Sequence, residues 1–297
     1  MTDYRALLAQ LAIPRLVGSR NHTEVRGMLT GELAARGFVV LEQRFAASPR
    51  APLWGRKPAE GVNLIGVRPR ARVTAWLAAH YDSKGQPMSM AGRLLLAAAC
   101  AVSLVVALGI VAAGGPLVAL APTAALGALF LGLSRVTERS PGAVDNAVGV
   151  VTVLRALDAL PPDAPVGVIF PDAEELGLLG AGVLARQRAN LLRDTVVVNF
   201  DGLDDRGATI VLVHRPGPIV DRLVAALGAR RRRAWPVIVD GIAFARAARE
   251  CMTIMRGDWG TARVVHTPRD TADRLTLEGS RDVAAAVARA LAESSSG

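Results

Sequence analysis

Short apolar runs alternate with amphipathic segments along most of the chain, which predicts an α/β fold. Apolar positions recur at helical spacing in residues 3–13 and 21–36. Runs with few polar residues predict strands at 38–45, 62–69, 72–80, 165–172, 195–202, 208–214, 235–239 and 251–256. Further helices are predicted at 143–160, 216–227, 241–248 and 275–293, and one follows residues 174–175. The strands at 62–69 and 72–80 are expected to be neighbours. We expect a three-layer α/β/α sandwich with a mostly parallel mixed sheet.

One uncharged apolar block, residues 94–133, interrupts this pattern. Residues 94–113 would form a helix of about 30 Å, the thickness of a bilayer's hydrocarbon core. Residues 116–134 are nearly as long, and Gly114-Gly115-Pro116 supplies a turn between the two. The alternative, two helices buried in a soluble protein, needs protein on every side of both helices. We therefore predict a transmembrane hairpin at 92–135, inserted into one discontinuous domain formed by 1–91 and 136–297, and we expect Pro122 to kink the second span.

Charge adds a prediction of orientation. Lys84 and Arg93 precede the first span, Arg135 and Arg139 follow the second, and the connecting turn is uncharged. The excess of positive charge at the flanks predicts that both ends, and the domain attached to them, lie in the cytoplasm.

The net charge of +9 does not indicate a nucleic-acid partner. Nearly all of the positive charge is arginine spread over the whole chain, and 230–233 is the one dense basic run. That run fits a solvated loop or a contact with anionic lipid headgroups. Cys100 and Cys251 are too few for a disulfide framework and are expected to be free thiols. The oligomeric state is left open.

Groups able to bind a metal or to move protons occur at predicted strand ends, where α/β sheets collect their active groups. His80 and Asp82 lie two residues apart, so they point the same way. If His80 binds a metal, Asp82 can orient its ring. A buried acid such as Asp201 needs a compensating charge, which a metal supplies. The full set is His80, Asp82, Asp145, Glu174, Glu175, Asp201 and His266.

Each of these residues taken alone has an ordinary structural explanation. An acid that opens a helix is commonly a cap, and paired glutamates are commonly a solvated helix start. Imidazole and carboxylate ligands together suit Zn²⁺, with Mn²⁺ or Co²⁺ as alternatives. Two such ions could polarise an amide carbonyl and activate a water molecule, and an unligated carboxylate could carry its proton.

The ordered motifs "AHYDS", "GAVDNAVGV", "DAEELGLLGA", "NFDG" and "VHTPRDT" resemble the dizinc aminopeptidase family. Its superfamily also includes glutamate carboxypeptidases, glutaminyl cyclases and transferrin-receptor-like proteins. The resemblance covers roughly 15–45, 62–83 and 140–293, which is most of the chain apart from the apolar block. It implies the zinc-exopeptidase fold and an aminopeptidase-type hydrolase acting on a peptide or small amide.

Carried over position by position, the resemblance implies two zinc ions bridged by Asp145. His80 and Asp201 would hold one ion, and Glu175 and His266 the other. Glu174 would be the general base, and Asp82 would orient His80.

The chain departs from the family at Val265, where many members carry a tyrosine that can stabilise the oxyanion. Two other functions stay open: a glutaminyl-cyclase-like acyltransferase with a single zinc, and a catalytically inactive membrane scaffold. His22 and His214 are expected on the surface or in loops, Trp259 in a substrate pocket or the core, and Asp270 at the cap of the last helix.

Overall fold

The computed structural model describes residues 2–49, 58–69 and 72–295. Within these residues eight strands form one mixed sheet in the order β1-β2-β4-β3-β5-β8-β6-β7. The strands are β1 (Val39–Ala47), β2 (Ala59–Val67), β3 (Ala75–Ala78), β4 (Val166–Phe170), β5 (Val196–Leu203), β6 (Ala208–Arg215), β7 (Arg230–Arg232) and β8 (Glu250–Gly257). Neighbouring strands are parallel from β4 through β3 and β5 to β8.

Helices cover both faces of the sheet. The helices are α1 (Tyr4–Leu11), α2 (Arg20–Ala35), α3 (Met90–Ala112), α4 (Ala121–Leu133), α5 (Val148–Ala159), α6 (Leu179–Gln187), α7 (Ala189–Leu192), α8 (Pro218–Ala226), α9 (Gly241–Phe244), α10 (Trp259–Ala262) and α11 (Glu278–Ser295). Buried side chains of α1, α2, α5, α8 and α11 pack in the larger core on one face. Those of α6, α7 and α9 pack in a second core on the other face. The predicted three-layer sandwich is confirmed.

Strands β3 and β4 lie in the middle of the sheet because they consist of short apolar runs. All residues of β3 and β4 are buried, as expected for parallel strands covered by helices on both faces. Leu77 of β3 contributes to the larger core, whereas its neighbour Trp76 contributes to the smaller one. This alternation fixes the register. Because β3, β4 and β5 are parallel, their carboxyl ends lie at the same edge of the sheet.

Three details of the sequence prediction are wrong. Residues 235–239 form no strand, and the edge strand is β7, five residues earlier. Pro236 has no N–H to donate to a sheet ladder, and the segment lines a cavity instead. The helix expected at 241–248 is the single turn α9. The strands β2 and β3 are not neighbours, because β4 lies between them.

The apolar block forms α3, a 3-10 turn at Leu117–Leu120 and α4. α3 has 23 residues, and the mean hydropathy of its most apolar 18-residue stretch is 2.8; within the described chain it is the one helix long and apolar enough to cross a membrane. The stretch Leu117–Leu133 is apolar but shorter. The two helices pack together, and Ser103 Oγ lies 2.8 Å from Thr123 Oγ1 across their contact. Pro122 stands in the first turn of α4, so the expected kink is absent there.

The two ends of the apolar block are held together at its base. Gly85 and Thr137 exchange backbone hydrogen bonds of 2.6 and 2.8 Å as an isolated antiparallel bridge. Beyond them, the Ser83 hydroxyl donates to the Ser140 carbonyl. The chain therefore leaves the sandwich after β3 and returns to the same point before α5.

Candidate metal centre

Four loops and one strand deliver the predicted site residues to the same edge of the sheet. His80 lies two residues beyond β3, Glu174 and Glu175 form a 3-10 turn beyond β4, and Asp201 lies within β5. Asp145 belongs to the turn that precedes α5, and His266 follows α10. The structure thus brings together every residue that the sequence analysis selected.

Five of these side chains form two overlapping clusters that share Asp145. One cluster contains His80, Asp145 and Asp201, and the other contains Asp145, Glu175 and His266. In each cluster the potential ligand atoms lie within 4.8 Å of one another. Asp145 Oδ1 is 3.1 Å from His80 Nε2, and Asp145 Oδ2 is 2.9 Å from His266 Nε2. One carboxylate therefore faces both imidazoles, as a bridging ligand must.

Asp82 connects the first cluster to the glutamate turn. Its Oδ1 lies 3.3 Å from His80 Nδ1, the nitrogen turned away from Asp145. The two carboxylate oxygens of Asp82 also accept the backbone N–H groups of Glu174 and Glu175, each at 3.2 Å. This fully buried carboxylate can hold the imidazole in one orientation while it fixes the turn beside it.

Buried carboxylates dominate the electrostatics of the centre. Burial would raise the pKa of Asp145, but hydrogen bonds from His266 and His80 hold this pKa well below its ordinary value. Burial raises the pKa values of Glu174 and Asp201 well above the ordinary range, although the charge of His80 opposes both shifts. Within the described residues, neither Glu174 nor Asp201 has an ion-pair partner.

Lys84, which the sequence analysis treated only as a flanking charge, is part of the centre. Its buried ammonium lies 2.6 Å from Glu175 Oε2. Burial alone would raise the pKa of Glu175, but Lys84 and then His266 outweigh that effect and lower it to about 2. Glu175 is therefore ionised, whereas its neighbour Glu174 forms no ion pair with any of the described residues. The pKa values of these two adjacent glutamates are therefore shifted in opposite directions.

Asp240 is a further buried acid that the sequence did not reveal. Neither of its carboxylate oxygens has a hydrogen-bond partner among the described residues. Burial raises its pKa to about 7, and the charge of His80 opposes that shift. Asp240 follows residues 235–239, which were predicted as a strand, but it stands in none of the motifs that resemble the family.

A hydrogen-bonded network behind the centre holds the strand ends in place. Asp172 accepts His22 Nε2 at 2.8 Å, the Tyr81 hydroxyl at 2.9 Å and the Val62 N–H at 2.7 Å. His22 is buried and stacks on Tyr81, so its predicted surface position is wrong. The Tyr81 hydroxyl is directed into this network, so it cannot replace the oxyanion donor that Val265 lacks.

Asp270 supports the bridging position directly. Its carboxylate accepts the backbone N–H groups of Val144 at 2.8 Å and Asp145 at 3.2 Å. The sequence analysis expected this residue to cap the last helix, but α11 begins eight residues later. It is a positioning residue for Asp145, and the contact spans 125 residues of chain.

Left-handed backbone conformations occur at two non-glycine residues of the site. Ala173, which precedes the glutamate pair, has φ of 55°, and His266 has φ of 67°. L-residues adopt this region at a steric cost, and such residues collect at functional sites. These conformations direct the side chains of Glu174 and His266 differently from the way that an ordinary extended or helical backbone would.

The donor set fits a divalent metal of the zinc type. Imidazole nitrogen and carboxylate oxygen are both zinc ligands, and each cluster offers three protein groups. Three protein ligands leave coordination positions for water or substrate. A dication in each cluster would also compensate the crowded carboxylates described above.

The centre opens into a cavity of about 760 Å³. Asp145, Glu174, Glu175, Asp201 and His266 form its buried end. Residues of α3, α4 and the segment 235–239 form its outer walls. This volume suits a ligand much larger than a water molecule or a single small functional group.

An α/β/α sandwich with paired imidazole–carboxylate clusters at the carboxyl edge of its sheet is the arrangement of a zinc metallopeptidase of the exopeptidase type. Residues 63–291 match the sequence profile of peptidase family M28. The chain therefore belongs to peptidase family M28 and is a zinc metallopeptidase hydrolase by class.

Solved structures with the same fold fall into two functional groups. The zinc aminopeptidase of Bacillus subtilis is 14% identical, with 98% of this chain and 94% of that chain covered and a TM-score of 0.67. A Zn-dependent exopeptidase from Parabacteroides distasonis is 18% identical, with 97% and 96% covered and a TM-score of 0.66. The glutaminyl cyclase of Fimbriiglobus ruber is 17% identical, with 97% and 93% covered and a TM-score of 0.66. At these identities the likeness is one of fold.

Proposed function

We propose that the chain is a membrane-anchored aminopeptidase that releases N-terminal residues from peptides with two zinc ions. The observation that carries this proposal is the pair of ligand clusters sharing Asp145, with Glu174 next to them and outside both. His80 and Asp201 would hold one ion, and Glu175 and His266 the other. Mn²⁺ or Co²⁺ could occupy the same ligand set.

Bound zinc would supply a Lewis acid for the peptide carbonyl and would lower the pKa of a water molecule. Glu174 accepts a proton from that water as its oxygen attacks the carbonyl carbon. The same carboxyl returns the proton to the leaving nitrogen as the C–N bond breaks, which gives a free amino acid and a shortened peptide. A buried carboxylate with a raised pKa suits both steps, because it binds the proton without retaining it.

Membrane anchoring is the second part of the proposal. α3 would be about 34 Å long, and the 3-10 turn with α4 adds about 28 Å, which together approach two crossings of a hydrocarbon core of about 30 Å. Exposed apolar side chains occur on both helices, among them Val102 and Val105 of α3 and Leu131 of α4. We assign 92–135 to the hairpin and 1–91 with 136–297 to one catalytic domain.

The proposed cytoplasmic orientation depends on fewer charges than the sequence suggested. Lys84 is buried against Glu175, and Arg93 donates to Gln86 at 2.5 Å beside His266. Arg135 and Arg139 are exposed at the other end of the hairpin, and they carry the positive-inside argument.

The test is metal-dependent release of amino acids by the full-length protein in detergent or vesicles. Two zinc ions per chain and hydrolysis of aminoacyl-arylamides are expected. Glu174→Gln should lower kcat by about 10²- to 10⁴-fold while both ions stay bound, because only the proton carrier is lost. The exposed Glu138→Gln is the matched control and should keep wild-type rates.

Two other results would contradict the proposal. One zinc per chain, together with cyclisation of N-terminal glutamine and release of ammonia, would identify a glutaminyl-cyclase-like acyltransferase. Protein that binds zinc but hydrolyses and cyclises nothing, and on which Glu174→Gln has no effect, would be an inactive membrane scaffold.

A further inference from the structure

The active-site cavity has two ends of different chemistry. Its inner end is formed by the buried metal-site acids, and polar groups of the substrate must meet it. Its outer part includes Met90, Leu94 and Ala97 of α3 and Phe130 of α4. These residues are less buried than the acids, so the hairpin forms the wall near the mouth.

Apolar side chains outside the hairpin also line the cavity. Trp235 and Ile238 line the cavity and are 44% and 59% exposed. Trp259 lines it too, at 43% exposure, and its helix α10 packs against α3. Half-exposed tryptophans are typical of positions where protein meets the membrane interface. The apolar groups of the cavity wall therefore come both from the hairpin and from the rest of the chain.

This apolar wall continues into the outer surface of the hairpin. Leu94 faces the cavity, and its neighbour Leu95 is 61% exposed on another side of α3. The same is true of two neighbours on α4: Phe130 lines the cavity, whereas Leu129 is 50% exposed. A chain that leaves the cavity along α3 and α4 thus stays on apolar protein until it reaches the proposed bilayer.

We propose that the substrate is an amide whose leaving group carries an apolar chain, drawn from the bilayer along Leu94 and Phe130. An exopeptidase holds the small terminal residue at the closed end, so the rest of the substrate must occupy the outer part. Burial of the leaving chain between the hairpin and Trp235 favours apolar chains over polar ones. This inference depends on the proposed function and names the substrate class of the same site.

The experiment compares three amides of one N-terminal amino acid, the ethylamide, the hexylamide and the dodecylamide, with the zinc-loaded full-length protein in phosphatidylcholine vesicles. The value of kcat/KM should rise at least about tenfold from the ethylamide to the dodecylamide, which burial of about two methylene groups would supply. A further rise in kcat/KM from the hexylamide to the dodecylamide, which partitions into the vesicles, supports the bilayer as the source. An equal rise with the water-soluble hexylamide overturns that source.

Matched variants locate the effect on the hairpin. Leu94→Ala and Phe130→Ala should lower the ratio of dodecylamide to ethylamide kcat/KM, whereas Leu95→Ala and Leu129→Ala should keep it at the wild-type value. Equal kcat/KM for all three amides overturns the inference and leaves the aminopeptidase proposal standing. A zinc-loaded protein that cleaves none of them overturns the proposed function, and this inference with it.

Discussion

Asp145, the carboxylate that the two clusters share, depends on a residue from the other end of the chain. Asp270 binds two successive backbone N–H groups at this turn, and it is fully buried. A ligand held in advance by its neighbours binds a metal more tightly than one that must be ordered during binding. Metal affinity at this centre should therefore be sensitive to a side chain that touches no metal.

We predict that Asp270→Ala weakens zinc binding about 10- to 100-fold, because the loss of both hydrogen bonds frees the turn that carries Asp145. Zinc affinity is measured by competition with a chromophoric chelator. Asp273→Ala removes an exposed carboxylate three residues away and should leave the affinity unchanged. An unchanged affinity in Asp270→Ala would show that the turn is rigid without this residue.

The sequence predicted the candidate site residues and the orienting role of Asp82, but not the more distant residues that hold them. His80, Glu174 and Asp201 follow or end strands, so local patterns are enough to place them. His22 and Asp172 are 150 residues apart, and neither stands in a motif that indicates their contact. An isolated histidine in an amphipathic helix has no local feature that separates a surface residue from a buried partner.

At the scale of elements, Arg15 joins the two segments that the hairpin separates. Its buried guanidinium donates to the Tyr81 carbonyl at 2.6 Å on one side of the insertion and to the Gly142 carbonyl at 3.0 Å on the other. It also donates to the Pro141 carbonyl at 2.5 Å. These segments carry His80 and Asp145, so one side chain sets the spacing of two ligands.

We predict that Arg15→Met lowers the free energy of unfolding by about 3 kcal/mol, because buried carbonyls on both segments lose their donor. Urea-induced unfolding in detergent, followed by tryptophan fluorescence, gives the value. Arg5→Met changes an exposed arginine of α1 and should alter it by less than about 0.5 kcal/mol. Equal stability of the two variants would mean that the backbone bridge at Gly85 and Thr137 suffices.

The elements also show where sequence patterns fail. The apolar run at 235–239 has the composition of a strand but lines a cavity instead. The sequence pattern indicates that a segment is apolar, but it does not indicate whether the segment packs in a sheet or lines a cavity. The second half of the apolar block is as apolar as predicted, but its first turn, Leu117–Leu120, is a 3-10 helix rather than an α-helix.

At the scale of the whole molecule, the sandwich was predictable because its central strands are continuous apolar runs and parallel strands collect their loop residues at one edge. The relation between the hairpin and the cavity was not predictable, because it depends on how α3 leaves the sandwich. The path of α3 also explains why Lys84 and Arg93, which the sequence analysis treated as charges flanking the first span, have side chains that contact Glu175 and His266.

The proposed division into a hairpin and one discontinuous domain gives the last prediction. Replacing residues 88–133 with a Gly-Ser-Gly-Ser linker should yield a protein that is soluble without detergent, because the excised surface is apolar and exposed. The domain should still fold and bind zinc, since Gln86 contacts the Ser134 carbonyl and Arg15 joins the segments beyond.

Vesicle flotation should carry the full-length chain upward and leave the shortened chain in the aqueous fraction. Full-length protein that remains aqueous would refute the membrane anchor. A shortened protein that unfolds would show instead that the hairpin belongs to the folding unit of the catalytic domain.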